Sequence, residues 1–234
     1  MQVVDEPEPP ETPEPGGTVV VVAGGEALDP RLRSVVPDEA IVVAADSGLD
    51  HAFALGLAVT TVVGDLDSVS EAALAAAREG GTEVLRYPEA KDATDLALAL
   101  TAAAARRPRA IVVLGGHGGR LDHQQANLLL LAAPGWVLPA SVAVTAWMGA
   151  ALVTVIRARV GLRGAVGSTV SLLPANGPAG GITTRGLTFP LADEDLPAGI
   201  TRGISNRFEE PLAEVSIRHG ALLAIQPDAI EELP

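Results

Sequence analysis

The chain has 234 residues, 48% of them apolar but only 3% aromatic, so a sizeable core has to be packed with Ala, Val, Leu and Ile. The absence of cysteine excludes disulfides, thiolate nucleophiles and Cys-ligated metal sites. Sixteen basic residues against 29 acidic ones leave a net charge of −13, which argues against a phosphate-neutralising face for nucleic acid.

Residues 1–17 are acidic and proline-rich, with no basic residue, and read as a disordered tail. No basic region followed by an apolar core opens the chain, so a cytoplasmic protein is expected. From Thr18 a short β-branched run, a turn and a helical stretch recur. The runs are 18–23, 40–45, 60–63, 82–86 and 110–114; helices are expected near 49–57, 70–79 and 94–107. The second helix opens with Ser68 and Glu71 in capping-box spacing and closes at Gly80-Gly81; the third ends at Pro108. Runs apolar on both faces that alternate with helices predict a parallel sheet covered on both sides, an α/β domain over 18–145.

No Asp, Glu, Lys or Arg lies between Asp122 and Arg157, a length that could span a bilayer. Pro134, Gly135 and Pro139 interrupt it, and 141–148 partly alternates, so it reads as a helix, a turn and buried strands; no membrane association is expected. Beyond it, strand-like runs at 166–173, 181–188, 213–217 and 221–225 predict an all-β domain over 146–234. Arg218-His219-Gly220 is expected to turn a hairpin between the last two.

Open parallel sheets bind ligands beyond the carboxyl ends of their strands. Four successive runs lead there into Asp46-Ser47-Gly48, Gly64-Asp65-Leu66-Asp67-Ser68, Asp92-Ala93-Thr94-Asp95, and Gly115-Gly116-His117-Gly118-Gly119-Arg120-Leu121-Asp122-His123. Any one of these aspartates is explained as a helix cap. Six at one edge repel one another and call for a counter-charge, and Lys91 is the chain's single lysine. Oxygen-only ligands favour Mg²⁺ or a similar hard ion, and such an ion at a strand-end crevice points to a polyphosphate. No P-loop spelling occurs, and the glycine loop misses G-x-G-x-x-G because Leu121 stands at the third glycine. Its amides can still approach a phosphate. His51 and His219 read as surface residues, His117 is open to either reading, and His123 is placed at the site.

These residues resemble the thiamine pyrophosphokinase family. The likeness runs through Ala45-Asp46-Ser47-Gly48, Gly64 to Ser68, Asp92 to Asp95, and Gly118 to His123 with Asn127. It continues in Ser171 to Pro174, Thr183 to Leu191 and Gly203-Ile204-Ser205-Asn206. The resemblance implies a Rossmann-like α/β nucleotide domain, a β-sandwich thiamine domain, and a homodimer with active sites at the subunit interface. It also implies pyrophosphoryl transfer from ATP to thiamine, giving thiamine diphosphate and AMP. By it Asp65, Asp67, Asp92 and Asp95 hold metal, and Asp65, Asp67, Arg120 and Asp122 are catalytic. Asp46, Ser68, Thr94, His123 and Asn127 serve ATP and its phosphates, while Phe189, Ser205 and Asn206 bind thiamine. Arg207 and Ser47 depart from the family's usual Glu and Gly. Two alternatives remain: a non-catalytic nucleotide- or thiamine-binding regulator on the same scaffold, and a sugar-nucleotide transferase using Asp65-Leu66-Asp67.

Overall fold

The computed structural model describes residues 16–90, 92–133 and 138–234. The acidic stretch 1–15, Lys91, Pro134 and Gly135 lie outside it. The expected strands form as β1 (Gly16–Val22), β2 (Ile41–Ala45), β3 (Thr61–Gly64), β4 (Glu83–Arg86) and β5 (Pro108–Leu114). They are joined by β6 (Ala143–Met148). These six run parallel in the order β4-β3-β2-β1-β5-β6. Gly16 and Gly17, expected in the tail, begin β1, where Gly16 pairs with Pro108.

Alternation along the central strands serves two cores. Val19, Val21, Val43, Ala45 and Val63 pack on one face against Leu96, Ala99, Leu100 and Ala103 of α3 (Asp95–Ala105) and Leu131 of α4 (Leu121–Leu131). Val20, Val22, Val42, Ala44 and Val62 pack on the other against Leu49 and Ala52 of α1 (Gly48–Ala54) and Ala73 and Ala77 of α2 (Glu71–Glu79). Valine suits both demands, since each buried side chain contributes about 1.5–3 kcal/mol and its branched Cβ favours the extended backbone. α2 is capped by Ser70, whose Oγ accepts from Ala73 N at 3.1 Å, and not by Ser68 as the spacing suggests. Asp50 of α1 decides this by accepting from Ser70 N at 3.1 Å and from its hydroxyl.

The chain steps outward from β1 to β4 and then crosses back to β5 on the other side of β1. That reversal opens a crevice at the carboxyl end of β1, where ligands bind in open α/β sheets. The sheet does not stop at β6. An antiparallel hairpin carries it into β7 (Ala151–Ile156), and then β14 (Leu222–Gln226), β9 (Thr169–Pro174) and β12 (Asn206–Arg207) complete ten strands. The expected division between 145 and 146 therefore falls inside β6.

A second, four-stranded antiparallel sheet has the order β11 (Ala192–Leu196), β10 (Ala179–Arg185), β13 (Leu212–Ser216), β8 (Arg159–Arg163). A third core joins it to the far end of the large sheet, with Ile182, Leu196, Ala213 and Val215 meeting Ile156, Val170, Leu172, Leu222 and Ala224. The expected hairpin at Arg218-His219-Gly220 is thus not formed, because β13 and β14 belong to different sheets. Their inward faces meet across this core, and the connection is tied instead to Gly180, whose carbonyl accepts from Arg218 N at 2.9 Å. Among the described residues no helix is long and apolar enough to cross a membrane.

Candidate active site

A cleft of about 400 Å³ sits at the strand-order reversal. Ala23, Gly24 and Gly25 follow β1; Asp46 and Ser47 follow β2; Asp65, Asp67 and Ser68 follow β3. Thr94 and Asp95 open α3, while Gly116, His117, Gly118, Arg120, His123 and Asn127 come from the β5–α4 loop and α4. Nine of the residues singled out from the sequence thus meet in one place: Asp46, Asp65, Asp67, Ser68, Thr94, Asp95, Arg120, His123 and Asn127.

Ligand oxygens of Asp46, Asp65 and Asp67 lie within 4.8 Å of one another. Asp46 has φ 46° and Leu66 φ 64°, left-handed conformations that cost energy in non-glycine residues and cluster at functional sites. The turn at Leu66 tucks that side chain into the core while Asp65 and Asp67 converge on Asp46. Gly64 leaves them room, since a Cβ there would lie 3.1 Å from Asp46 Cβ and 3.2 Å from Asp95 Oδ1. Burial pushes the Asp46 carboxyl above its ordinary range, and the charges of Asp95, Asp65 and Asp67 add to the rise against a backbone hydrogen bond from Ser47. Its Oδ1 is buried without a hydrogen-bond partner.

Asp92, a metal ligand by the family resemblance, is exposed and outside the cleft lining, and the three carboxylates that converge are Asp46, Asp65 and Asp67. Asp122 is likewise not among the residues lining the cleft. Its oxygens accept from Arg120 Nε at 3.1 Å and Nη2 at 2.5 Å, a two-pronged pair that holds the Asp122 carboxyl down to about 2. Asn127 donates to Gly116 O at 2.9 Å and pins the glycine loop, and Gly116 N donates to Gly24 O at 2.9 Å. Thr94 caps α3 by accepting from Ala97 N at 3.3 Å. His51, read as a surface residue, is partly buried with Nδ1 3.2 Å from the carbonyl of Ala23, a residue that lines the cleft. Gly24 and Gly25 were missed, although a glycine pair directly after an apolar run is a readable signal.

The remaining candidates stand apart. Phe189 is 63% exposed and lines a small pocket with Thr188, Pro190, Leu191 and Arg202. Ser205 is exposed at φ 58° and its N–H donates to Ser171 Oγ at 3.0 Å. Asn206 is buried, 5% exposed, with its amide turned onto the Phe189 backbone. Arg202 pairs with Glu194 at 2.6 Å; no sequence signal marked it for this pocket.

A helix-covered parallel sheet with an acidic cleft at its reversal, continued into a β-rich half with its own small pocket, defines the class: a two-part α/β-plus-β protein. Residues 32–137 match the model of the thiamin pyrophosphokinase catalytic domain, and residues 155–222 match that of the thiamin pyrophosphokinase vitamin B1 binding domain. The thiamine pyrophosphokinase of Bacillus subtilis (strain 168) is 32% identical over 115 residues, 49% of this chain and 54% of that protein. The aligned stretch thus spans about half the length of this curated relative. The crystal structure of Bacillus subtilis thiamine pyrophosphokinase superposes with a TM-score of 0.78 at 25% identity, covering 89% of this chain and 98% of that one. An Enterococcus faecalis family protein gives 0.71 at 26% identity over 90% and 98%. The Candida albicans enzyme, at 15% identity and a TM-score of 0.73 over 90% and 88%, shares the fold. The chain belongs to the thiamin pyrophosphokinase family.

Proposed function

We propose that the chain is a Mg²⁺-dependent thiamine diphosphokinase that moves the pyrophosphoryl group of ATP to the hydroxyethyl hydroxyl of thiamine and releases AMP. The observation that carries this is the convergence of Asp46, Asp65 and Asp67 in a cleft that the matched catalytic-domain model spans. A set of carboxylates alone, one with a buried unpartnered oxygen, fits a hard divalent cation. Asp46, Asp65 and Asp67 would hold it, with Asp95 beside them. Once bound, it supplies charge neutralisation to phosphate oxygens.

The chain's own groups do the rest. Gly116 and Gly118 offer a loop whose close backbone suits a phosphate, and Asn127 keeps that loop in place. Arg120 lines the cleft with Nε and Nη2 paired to Asp122, and would leave that partner to bring its fork to the charge that grows on the transferring group. Ser68, Thr94 and His123 add polar contacts around the nucleotide. Phe189 presents a ring face to cationic thiamine, and Ser205 an outward hydroxyl. The acceptor oxygen bonds to the β-phosphorus, the bond from that phosphorus to the AMP oxygen breaks, and the hydroxyl proton is released. In-line placement of the two is the main demand on the protein.

The cleft and the Phe189 pocket share no lining residue, and on this reading a homodimer brings the acceptor pocket of one copy to the cleft of the other. On this reading the helix-covered sheet is a Rossmann-like nucleotide domain and the two facing sheets of the second half a β-sandwich. The division lies between the matched segments that end at 137 and begin at 155. A cytoplasmic location, where ATP is at hand, completes it. Incubation with thiamine, ATP and Mg²⁺ tests the proposal: thiamine diphosphate and AMP are expected in equal amounts. ADP with thiamine monophosphate overturns the reaction, and ligand binding without product leaves a regulator.

A further inference from the structure

Asn206 and Ser205 are neighbours in one motif, yet the structure gives them opposite surroundings. Ser205 is exposed; Asn206 is buried and its amide is almost fully committed. Asn206 Oδ1 accepts from Phe189 N at 3.0 Å and from Arg207 N at 2.8 Å, filling both lone pairs. Its Nδ2 donates to Phe189 O at 2.8 Å. Three of the four hydrogen bonds that an asparagine side chain can make are therefore spent on backbone, two of them on the N–H and C=O of a single residue.

The reason lies in the local ladder. Leu187 bridges to Phe208, and Thr188 N donates to Arg207 O at 3.0 Å, so residues 187 and 188 pair with the strand leaving β12. Pro190 has no N–H to continue that pairing. The Asn206 side chain stands in for the missing strand at Phe189, as a side-chain amide can because it carries the same donor and acceptor as a peptide. On the far side, Thr184 N donates to Leu191 O at 2.9 Å and Leu191 N donates to Thr184 Oγ1 at 2.8 Å. The backbone of Phe189 is thus fastened before and behind, while its ring stands 63% exposed. A rigid mount under an exposed ring lowers the ordering cost of a ligand that stacks on it.

We propose that Asn206 is a positioning residue that aims the Phe189 ring at the thiamine acceptor and does not itself bind the acceptor. The inference rests on Phe189 lining the acceptor pocket, and it assigns direct polar contact in the motif to Ser205 alone.

A double-mutant cycle separates the two roles. Phe189→Ala is expected to raise the thiamine KM roughly tenfold, the scale of a stacked cation–π contact. Asn206→Ala is expected to raise it by a similar factor, with kcat and the ATP KM within about twofold of the parent, the resolution of a non-additivity measurement. In the Phe189→Ala background, Asn206→Ala then adds less than about twofold, because the group it acts through is gone. Asn206→Asp keeps both accepted bonds but turns a carboxylate oxygen onto Phe189 O, so its thiamine KM rises at least as far as that of Asn206→Ala; it carries the cycle if the alanine variant does not fold. Full multiplication of the two single effects overturns the inference and makes Asn206 a direct ligand. A thiamine KM unchanged by Phe189→Ala removes the ring from the acceptor pocket, which is the failure of the underlying reading and takes this inference with it.

Discussion

The two pockets are built on opposite plans. In the cleft, carboxylates are crowded and backbone strained: ligand oxygens of Asp46, Asp65 and Asp67 lie within 4.8 Å of one another, and Asp46 and Leu66 are held at positive φ. Around Phe189 the polar groups are matched and the apolar ring is left open to solvent. One site gathers like charge and the other leaves an apolar ring open. Each suits what its proposed ligand brings, a cation with phosphates in the first case and a flat organic cation in the second. Substitutions should therefore affect rate and metal response at the cleft, and acceptor KM at the ring.

The largest effect is expected from Asp65→Asn and Asp67→Asn. Each should lower kcat by roughly a hundredfold or more, the scale of removing one charge-stabilising group from a transition state. The thermal midpoint should stay near that of the parent, because relief of like-charge repulsion offsets the lost hydrogen bonds. Either variant turning over at the parental rate would remove the acidic cluster from the chemistry. Phe189→Ala comes next, with its KM effect confined to thiamine; a comparable rise in the ATP KM would blur the contrast between the two pockets.

How far this division could be read from the sequence depended on whether the deciding partner was local. The parallel strands were legible because 18–23, 40–45 and 60–63 are apolar on both faces, a pattern that only a doubly covered sheet requires. The strand-end aspartates were legible for the same reason, since topology alone sends them to one edge. Pairing choices were not. Two apolar runs around Arg218-His219-Gly220 look the same whether they pair with each other or enter separate sheets, and a contact with Gly180 decides it. Ser68 and Ser70 both suit a cap, and Asp50, twenty residues upstream of Ser70, selects Ser70. The place of Asp46 in the triad and the inward turn of Asn206 likewise depend on neighbours distant in sequence, which no spacing rule displays.

A smaller effect tests the burial and crowding of the Asp46 carboxyl directly. The Asp46 carboxyl titrates above its unfolded value, so the folded state binds its proton more tightly than the unfolded chain does. The resulting penalty is absent below the unfolded pKa of 3.8, grows as pH rises towards the elevated folded value and is fully present above it. Asp46→Asn removes it. In chelator at pH 7 the variant should melt above the parent. Added Mg²⁺ should stabilise the parent and not the variant. A variant less stable than the parent in chelator would show that Asp46 is held by favourable contacts and is not strained.

The smallest effect distinguishes architecture from ligand contact at Thr94, which both caps α3 and lines the cleft. Its cap bond to Ala97 N is long at 3.3 Å, and the residue is exposed, so Thr94→Ala should sit at the low end of cap losses, about 0.5 kcal/mol or 1–2 °C. Thr94→Ser keeps the hydroxyl and should recover that stability. The informative quantity is the ATP KM measured beside it. A hydroxyl that only caps leaves the ATP KM unchanged in both variants once the protein is folded. A hydroxyl that also meets the nucleotide raises it several-fold in Thr94→Ala and restores it in Thr94→Ser, and this second pattern is expected, because the capped helix end opens into the cleft where the phosphates would lie.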